Sequence, residues 1–212
     1  MYLIFVIKKM TSKEDNDINE NQIKIMILGN SSVGKTSFII KCTEDCFQEV
    51  YLSTIGIDYK EKEVIIEGKK YKILLYDTTG QERFKSLAIN LIKDADGVML
   101  MYDITNRESF NSIIDWIKNI EERKGENFPT IILGNKVDNE DIRKVSKEEG
   151  EKVAEGNDIS FFEISNKTGV NVNEALLAFI KEILSSKKKN VFLKTQTISI
   201  KSLKTKKKKQ CC

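Results

Sequence analysis

From Ile23 onward, short apolar runs alternate with stretches of helical spacing. IKIMIL (23–28) is an apolar run stopped by Gly29 and reads as a buried strand. KTSFIIKCTE follows with helical spacing. EKEVIIEGKKYKILLY reads as two strands joined at Glu67-Gly68-Lys69, a hairpin. GVMLMY (97–102) and TIILG (130–134) are again short strands, and a further helix is expected between the hairpin and the first of them. Between the two, SFNSIIDWIKNIEER predicts an amphipathic helix with Phe110, Ile113, Ile114, Ile117 and Ile120 on one face. SKEEGEKVAEG predicts a helix with a Ser-x-x-Glu start at Ser146. DISFFEIS is a strand and VNEALLAFIKEILSS the last helix. This alternation predicts an α/β fold: a mostly parallel six-stranded sheet, one antiparallel strand from the hairpin, and helices on both faces. Ligands of such sheets bind outside the carboxyl ends of the strands, so the loops there are where chemistry is sought.

The charge is unevenly spread. Ten lysines and no acid lie in residues 187–212; subtracting them from the totals of 35 basic and 32 acidic residues leaves residues 1–186 with a net charge of −7. An acidic body with a basic tail implies that only the tail seeks an anionic partner. The expected organisation is a flexible leader at 1–22, a single domain at 23–186 and a flexible basic tether at 187–212. MYLIFVIKKM has no basic residue ahead of its apolar run and makes a poor signal peptide. No apolar run approaches the roughly 18 residues of a membrane span. The chain has no histidine and four cysteines, Cys42, Cys46, Cys211 and Cys212. This excludes histidine triads and histidine-ligated zinc, and reads as free thiols in a reducing compartment.

Four loops carry the chemistry. GNSSVGKTS after the first strand matches GxxxxGK[ST], the phosphate-binding pattern of the P-loop NTPase fold. Gly29 and Gly34 let the backbone curl, so that N–H groups from Gly29 through Ser31, Ser32, Val33 and Gly34 face an anion at a helix N-terminus. Lys35 would reach the β- and γ-phosphates, and the Thr36 hydroxyl would bind Mg²⁺. DTTGQE after the hairpin places Asp77 at a strand end toward Mg²⁺, the Gly80 N–H toward a γ-phosphate, and Gln81 where it can orient an attacking water. In NKVD, the Asp138 carboxylate can accept from guanine N1–H and N2–H₂, an edge adenine lacks. Asn135 can bond the base or tie this loop to the phosphate loop, and the Lys136 stem can lie along the ring. After FFEIS, the backbone of Ser165, Asn166 and Lys167 can reach guanine O6.

GNSSVGKT, STIG, DTTGQE, NKVD and SNK, in this order, resemble the five nucleotide-binding motifs of the Ras superfamily of small GTPases. STIGIDYK, RFKSL, LMYDIT and the double-cysteine end resemble the Rab family most. The resemblance covers roughly residues 23–186 and the tail. It implies a GTP/GDP switch with Mg²⁺, a slow GTPase regulating vesicle trafficking. By position it implies that Thr54 senses Mg²⁺ and the γ-phosphate, that Phe47 covers the guanine, and that Ile55, Gly56, Ile57, Asp58, Tyr59 and Tyr76 form the effector surface. Expected partners are a guanine nucleotide exchange factor, a GTPase-activating protein, effectors, a GDP dissociation inhibitor and the prenylation machinery, with no nucleic acid. Cys211 and Cys212 would carry geranylgeranyl chains that anchor the chain to the cytoplasmic face of intracellular membranes, cycling with cytosol.

Some positions depart from the family pattern. Thr79 stands where alanine is usual, and Asn166 replaces the alanine of Ser-Ala-Lys with little harm expected. LIKDA (91–95) replaces Tyr-Tyr-Arg-Gly-Ala, and Tyr76 replaces a tryptophan. Thr79 crowds the glycine on which the switch turns, which makes a nucleotide-locked module with little hydrolysis the alternative reading.

Overall fold

The computed structural model describes residues 21–44, 57–78 and 92–207. Phe47, Thr54, Ile55, Gly56, Thr79, Gly80, Gln81, Cys211 and Cys212 lie outside the described residues, as do most of the leader and the helix expected ahead of Gly97. A 3₁₀ turn, Ile92–Asp94, leads into that strand.

The sheet has six strands. They are β1 (Gln22–Leu28), β2 (Ile57–Ile66), β3 (Lys69–Thr78), β4 (Gly97–Asp103), β5 (Thr130–Asn135) and β6 (Ser160–Ile164). Their order is β2-β3-β1-β4-β5-β6. β2 pairs antiparallel with β3, and every other pairing is parallel, as the alternation predicted. The hairpin turn is one residue tighter than expected. Glu67 (φ 51°) and Gly68 (φ 75°) are its two central residues, and Lys69 already pairs with Ile66. Two successive positive φ angles give the turn that matches strand twist.

Alternation along β1 divides the core. Ile23, Ile25 and Ile27 pack with Phe38 and Ile39 of α1 (Lys35–Glu44) and with Leu176, Phe179 and Ile180 of α5 (Val172–Lys207). Met26 and Leu28 pack on the other face with Trp116, Ile117 and Ile120 of α3 (Ile113–Lys124). Burial of this kind is the main stabilising term. Cys42 belongs to the first cluster, and burial pushes its thiol up to about 12, so it is an inert core residue.

The predicted amphipathic helix is broken. α2 (Arg107–Asn111) is capped by the Asn106 side chain, which accepts from Ser109 N–H, and α3 starts after Ser112. Ile114 is 38% exposed, whereas Trp116 is only 6% exposed. The buried stripe from Ile113 is i, i+3, i+4, i+7, which takes in Trp116 and turns Ile114 outward. α4 (Lys147–Gly156) has the capping box expected at Ser146. Its Glu149 also pairs with Arg107, and that bond, with the Ser146 N–H, holds the Glu149 carboxyl down to about 2. α5 runs to Lys207, well past the 186 boundary at which the helical pattern fades. No glycine or proline follows Gly169, so no breaker stops the backbone. Lys187 pairs with Asp96 at the amino end of the sheet.

Candidate functional site

The chain leaves β1 at its carboxyl end, beside the point where the order of connections reverses. Gly29 has φ 143°, and a Cβ there would lie 2.1 Å from the Met101 carbonyl oxygen of β4. Only glycine lets the loop pass so close. Ser32 also has a positive φ, 63°, a conformation that costs a non-glycine residue about 1 kcal/mol. α1 begins at Lys35, so its first N–H groups and its dipole face the loop. Lys35 is buried, and its Nζ donates to the carbonyls of Gly29 (2.9 Å) and Asn30 (2.7 Å). Burial lowers its pKa to about 8, and Asp77 opposes that shift. An anionic ligand at the loop would favour the charged ammonium.

Asp77, near the end of β3, accepts a 2.7 Å hydrogen bond from Thr36 Oγ1. The neighbouring Thr78 hydroxyl donates to the Ile27 carbonyl at 2.7 Å, pinning the end of β3 to β1. A hydroxyl and a carboxylate thus stand side by side next to the GNSSVGKT loop. This hard oxygen set fits Mg²⁺, which takes one or two protein oxygens together with phosphate oxygens and water. Among the described residues there is no cluster of three or more histidine, cysteine, aspartate or glutamate side chains that would hold a metal by itself.

β5 ends at Asn135, which is fully buried. Its Nδ2 donates to the Val33 carbonyl (2.8 Å), and its Oδ1 accepts from Asn166 N–H (3.3 Å). This is the loop-tying role anticipated for it. Lys136, in the left-handed region at φ 73°, donates from Nζ to the Ser32 carbonyl (2.9 Å) and pairs with Asp103 Oδ2 (2.6 Å). Asp138 Oδ1 accepts from the Ser165 hydroxyl at 2.6 Å, and Ser165 Oγ accepts in turn from Thr168 N–H at 3.1 Å. The serine proton is therefore committed, and the carboxylate is held in place. Asp138 and Lys167 are exposed, while Ser165 and Asn166 are buried.

The structure brings together Gly29 to Thr36, Asp77, Asn135, Lys136, Asp138, Ser165, Asn166 and Lys167 at the carboxyl ends of β1, β3, β5 and β6. Of the expected effector surface, Tyr59 and Tyr76 face each other across β2 and β3, with ring centroids 5.5 Å apart. Tyr59 is half exposed. Asp58 lies opposite Asp77 in the same ladder.

Two features of the site escape sequence reasoning. Asp103, the partner of Lys136, ends β4 and is held by Thr105, whose N–H and hydroxyl donate to its Oδ1 at 2.8 and 2.7 Å. The rule that sent attention to the strand ends applies to it as well. The Asn166 side chain donates from Nδ2 to the Gly34 carbonyl at 2.9 Å, where only its backbone had been given a role.

The profile of the Ras family matches residues 24–185. Ras-related protein Rab-8B of Bos taurus is 44% identical over 162 residues, which cover 76% of this chain and 78% of that protein. Ras-related protein Rab-8 of Diplobatis ommata is 43% identical over 168 residues, covering 79% and 80%. Ras-related protein Rab-13 of Bos taurus is 44% identical over 165 residues, covering 78% and 81%. With the GNSSVGKT and NKVD loops already seen to meet at one end of the sheet, this similarity along most of the length shows that the chain belongs to the Ras family and is a Rab-like small GTPase that acts in vesicle trafficking.

Proposed function

We propose that the site binds GTP or GDP with Mg²⁺ and works as a switch. One observation carries this reading: the base loop is hydrogen-bonded to the phosphate loop, through Asn135 on Val33 and Lys136 on Ser32. A ligand that bridges a purine and a polyphosphate meets both at once. The backbone N–H groups of Gly29 to Gly34 and the Lys35 ammonium bind the β- and γ-phosphates. Asp138 accepts from the guanine N1–H and N2–H₂ donors, and the backbone N–H groups of Ser165, Asn166 and Lys167 serve O6. Phe47 covers the ring. Thr36, Thr54 and Asp77 would hold Mg²⁺, which would supply charge stabilisation to the phosphates.

Hydrolysis is in-line attack by a water that Gln81 orients, with the Gly80 N–H on the γ-phosphate. No arginine lies in residues 44–58, so the positive charge of the transition state falls to a partner protein and unaided turnover is slow. Loss of the γ-phosphate releases the segments around Thr54 and Gly80, and with them the effector surface near Tyr59 and Tyr76. The nucleotide-locked alternative is not favoured, given Rab relatives along most of the chain. Single-turnover hydrolysis by the full chain, with GTP and with ATP, tests the reading. GTP alone should be consumed, slowly, and Thr79→Ala should raise the rate several-fold. Equal use of ATP would overturn the guanine assignment, and no hydrolysis even with a Rab-directed activating protein would overturn the switch.

We further propose that Cys211 and Cys212 are prenylated and that the lysines of 187–209 hold the tail against an anionic leaflet. No helix among the described residues is long and apolar enough to cross a membrane, and two lipid chains would supply stable anchoring. Removing both cysteines should leave nucleotide binding unchanged and release the protein to cytosol in cell fractionation. Removing one should weaken retention only. Continued membrane residence of the double variant would sink the lipid reading.

A further inference from the structure

The Asn166 side chain has a task that an alanine at this position could not perform. Its Nδ2 donates to the Gly34 carbonyl across 132 residues of sequence. That carbonyl also accepts the Phe38 N–H at 2.9 Å, the bond that opens α1. Asn166 therefore grips the junction between the phosphate loop and the helix whose dipole serves the phosphates. The adjacent carbonyl, Val33, is gripped by Asn135. The two amides fill the space beside Gly34, where a Cβ would come within 2.3 Å of Asn135 Nδ2 and 2.9 Å of Asn166 Nδ2. Asn166 is 3% exposed, and its Oδ1 has no hydrogen-bond partner. A buried acceptor left empty is costly, and the structure tolerates it to keep the amide turned toward Gly34.

We propose that Asn166 is a positioning residue that latches the base loop to the phosphate loop, so that nucleotide leaves only when both loosen, and that it lengthens nucleotide residence. This rests on the guanine-nucleotide reading above. The latch acts where the β-phosphate is held, so its loss should tell on GDP more than on GMP, which has no β-phosphate. GDP dissociation from the full chain, followed with a fluorescent GDP analogue, should be about 5- to 10-fold faster in Asn166→Ala, the effect of one lost hydrogen bond. The ratio of GDP to GMP affinity should fall by a similar factor. Asn166→Asp keeps the size but sets an acceptor against the Gly34 carbonyl, and should release GDP at least as fast as the alanine variant. Asn166→Ser replaces alanine if that variant melts below the assay temperature. An unchanged GDP off-rate, a parent-like aspartate variant, or equal weakening of GDP and GMP would overturn the latch. Failure of the parent protein to bind GDP in the same assay would instead overturn the nucleotide reading.

Discussion

Asp138→Asn is expected to lower GTP affinity by about 10²- to 10⁴-fold and to make xanthosine triphosphate the better ligand. The Ser165 hydroxyl donates to Asp138 Oδ1 at 2.6 Å, and its own acceptor role is taken by Thr168 N–H. In the variant the hydroxyl keeps donating to the amide oxygen, and the NH₂ group is left facing the base. A donor then meets the N1–H and N2–H₂ donors of guanine, and the two charge-assisted bonds to the carboxylate are gone. Each such bond is worth roughly 1.5–3 kcal/mol, and the sum converts to the stated range. Xanthine carries a carbonyl where guanine carries the 2-amino group, so it accepts from the new NH₂. Competition binding with GTP and xanthosine triphosphate measures both changes. Full GTP affinity in the variant would show that Asp138 does not read the base.

Gly34→Ala is expected to damage the site from the other side, lowering GDP affinity at least about 100-fold. Gly34 has φ 104°, which L side chains rarely adopt. The strain alone is of order 1–3 kcal/mol. The added Cβ also falls among the two amides that brace Val33 and Gly34, and both hydrogen bonds have to give. Each is worth about 1 kcal/mol net. Thermal melts with excess GDP should drop, and should drop further than melts without nucleotide, because bound ligand adds to stability in proportion to its affinity. Gly156→Ala is the control: it ends α4, and a Cβ there meets nothing within 4 Å. It should melt within a degree or two of the parent. Parent-like GDP affinity in Gly34→Ala would mean that the loop has room the structure denies it.

The parts of this protein that could be read from its sequence are those whose signal is local. IKIMIL followed by GNSSVGKT is a strand, a glycine turn and a helix start within fourteen residues, and backbone sterics leave few other outcomes for it. The same holds for Glu67-Gly68 between alternating strands, and for Ser146 with Glu149 one helical turn later. Trp116 and Ile114 were harder, since both lie near the edge of an apolar stripe and only packing against β4 decides between them. The length of α5 depends on the absence of a breaker rather than on a positive pattern. The Asn166 amide was out of reach for a different reason. Its partner is a backbone carbonyl that every residue possesses, and nothing in the order of residues says that β6 will bring this amide to α1. Asp103 lay closer to view, at a strand end beside the other loops, but an aspartate before a turn is too common to stand out.

The carbonyls of Ser32, Val33 and Gly34 take their side-chain partners from residues 104, 102 and 132 positions further along. These are long loops, and each must be closed before its bond returns anything. During synthesis the phosphate motif leaves the ribosome early and waits. Lys136 and Asn135 arrive after roughly two thirds of the chain has been made, and Asn166 later still, when β6 adds itself to the edge of the sheet. The loop that looks most self-contained in the sequence therefore takes its bracing from residues synthesised more than a hundred positions after it.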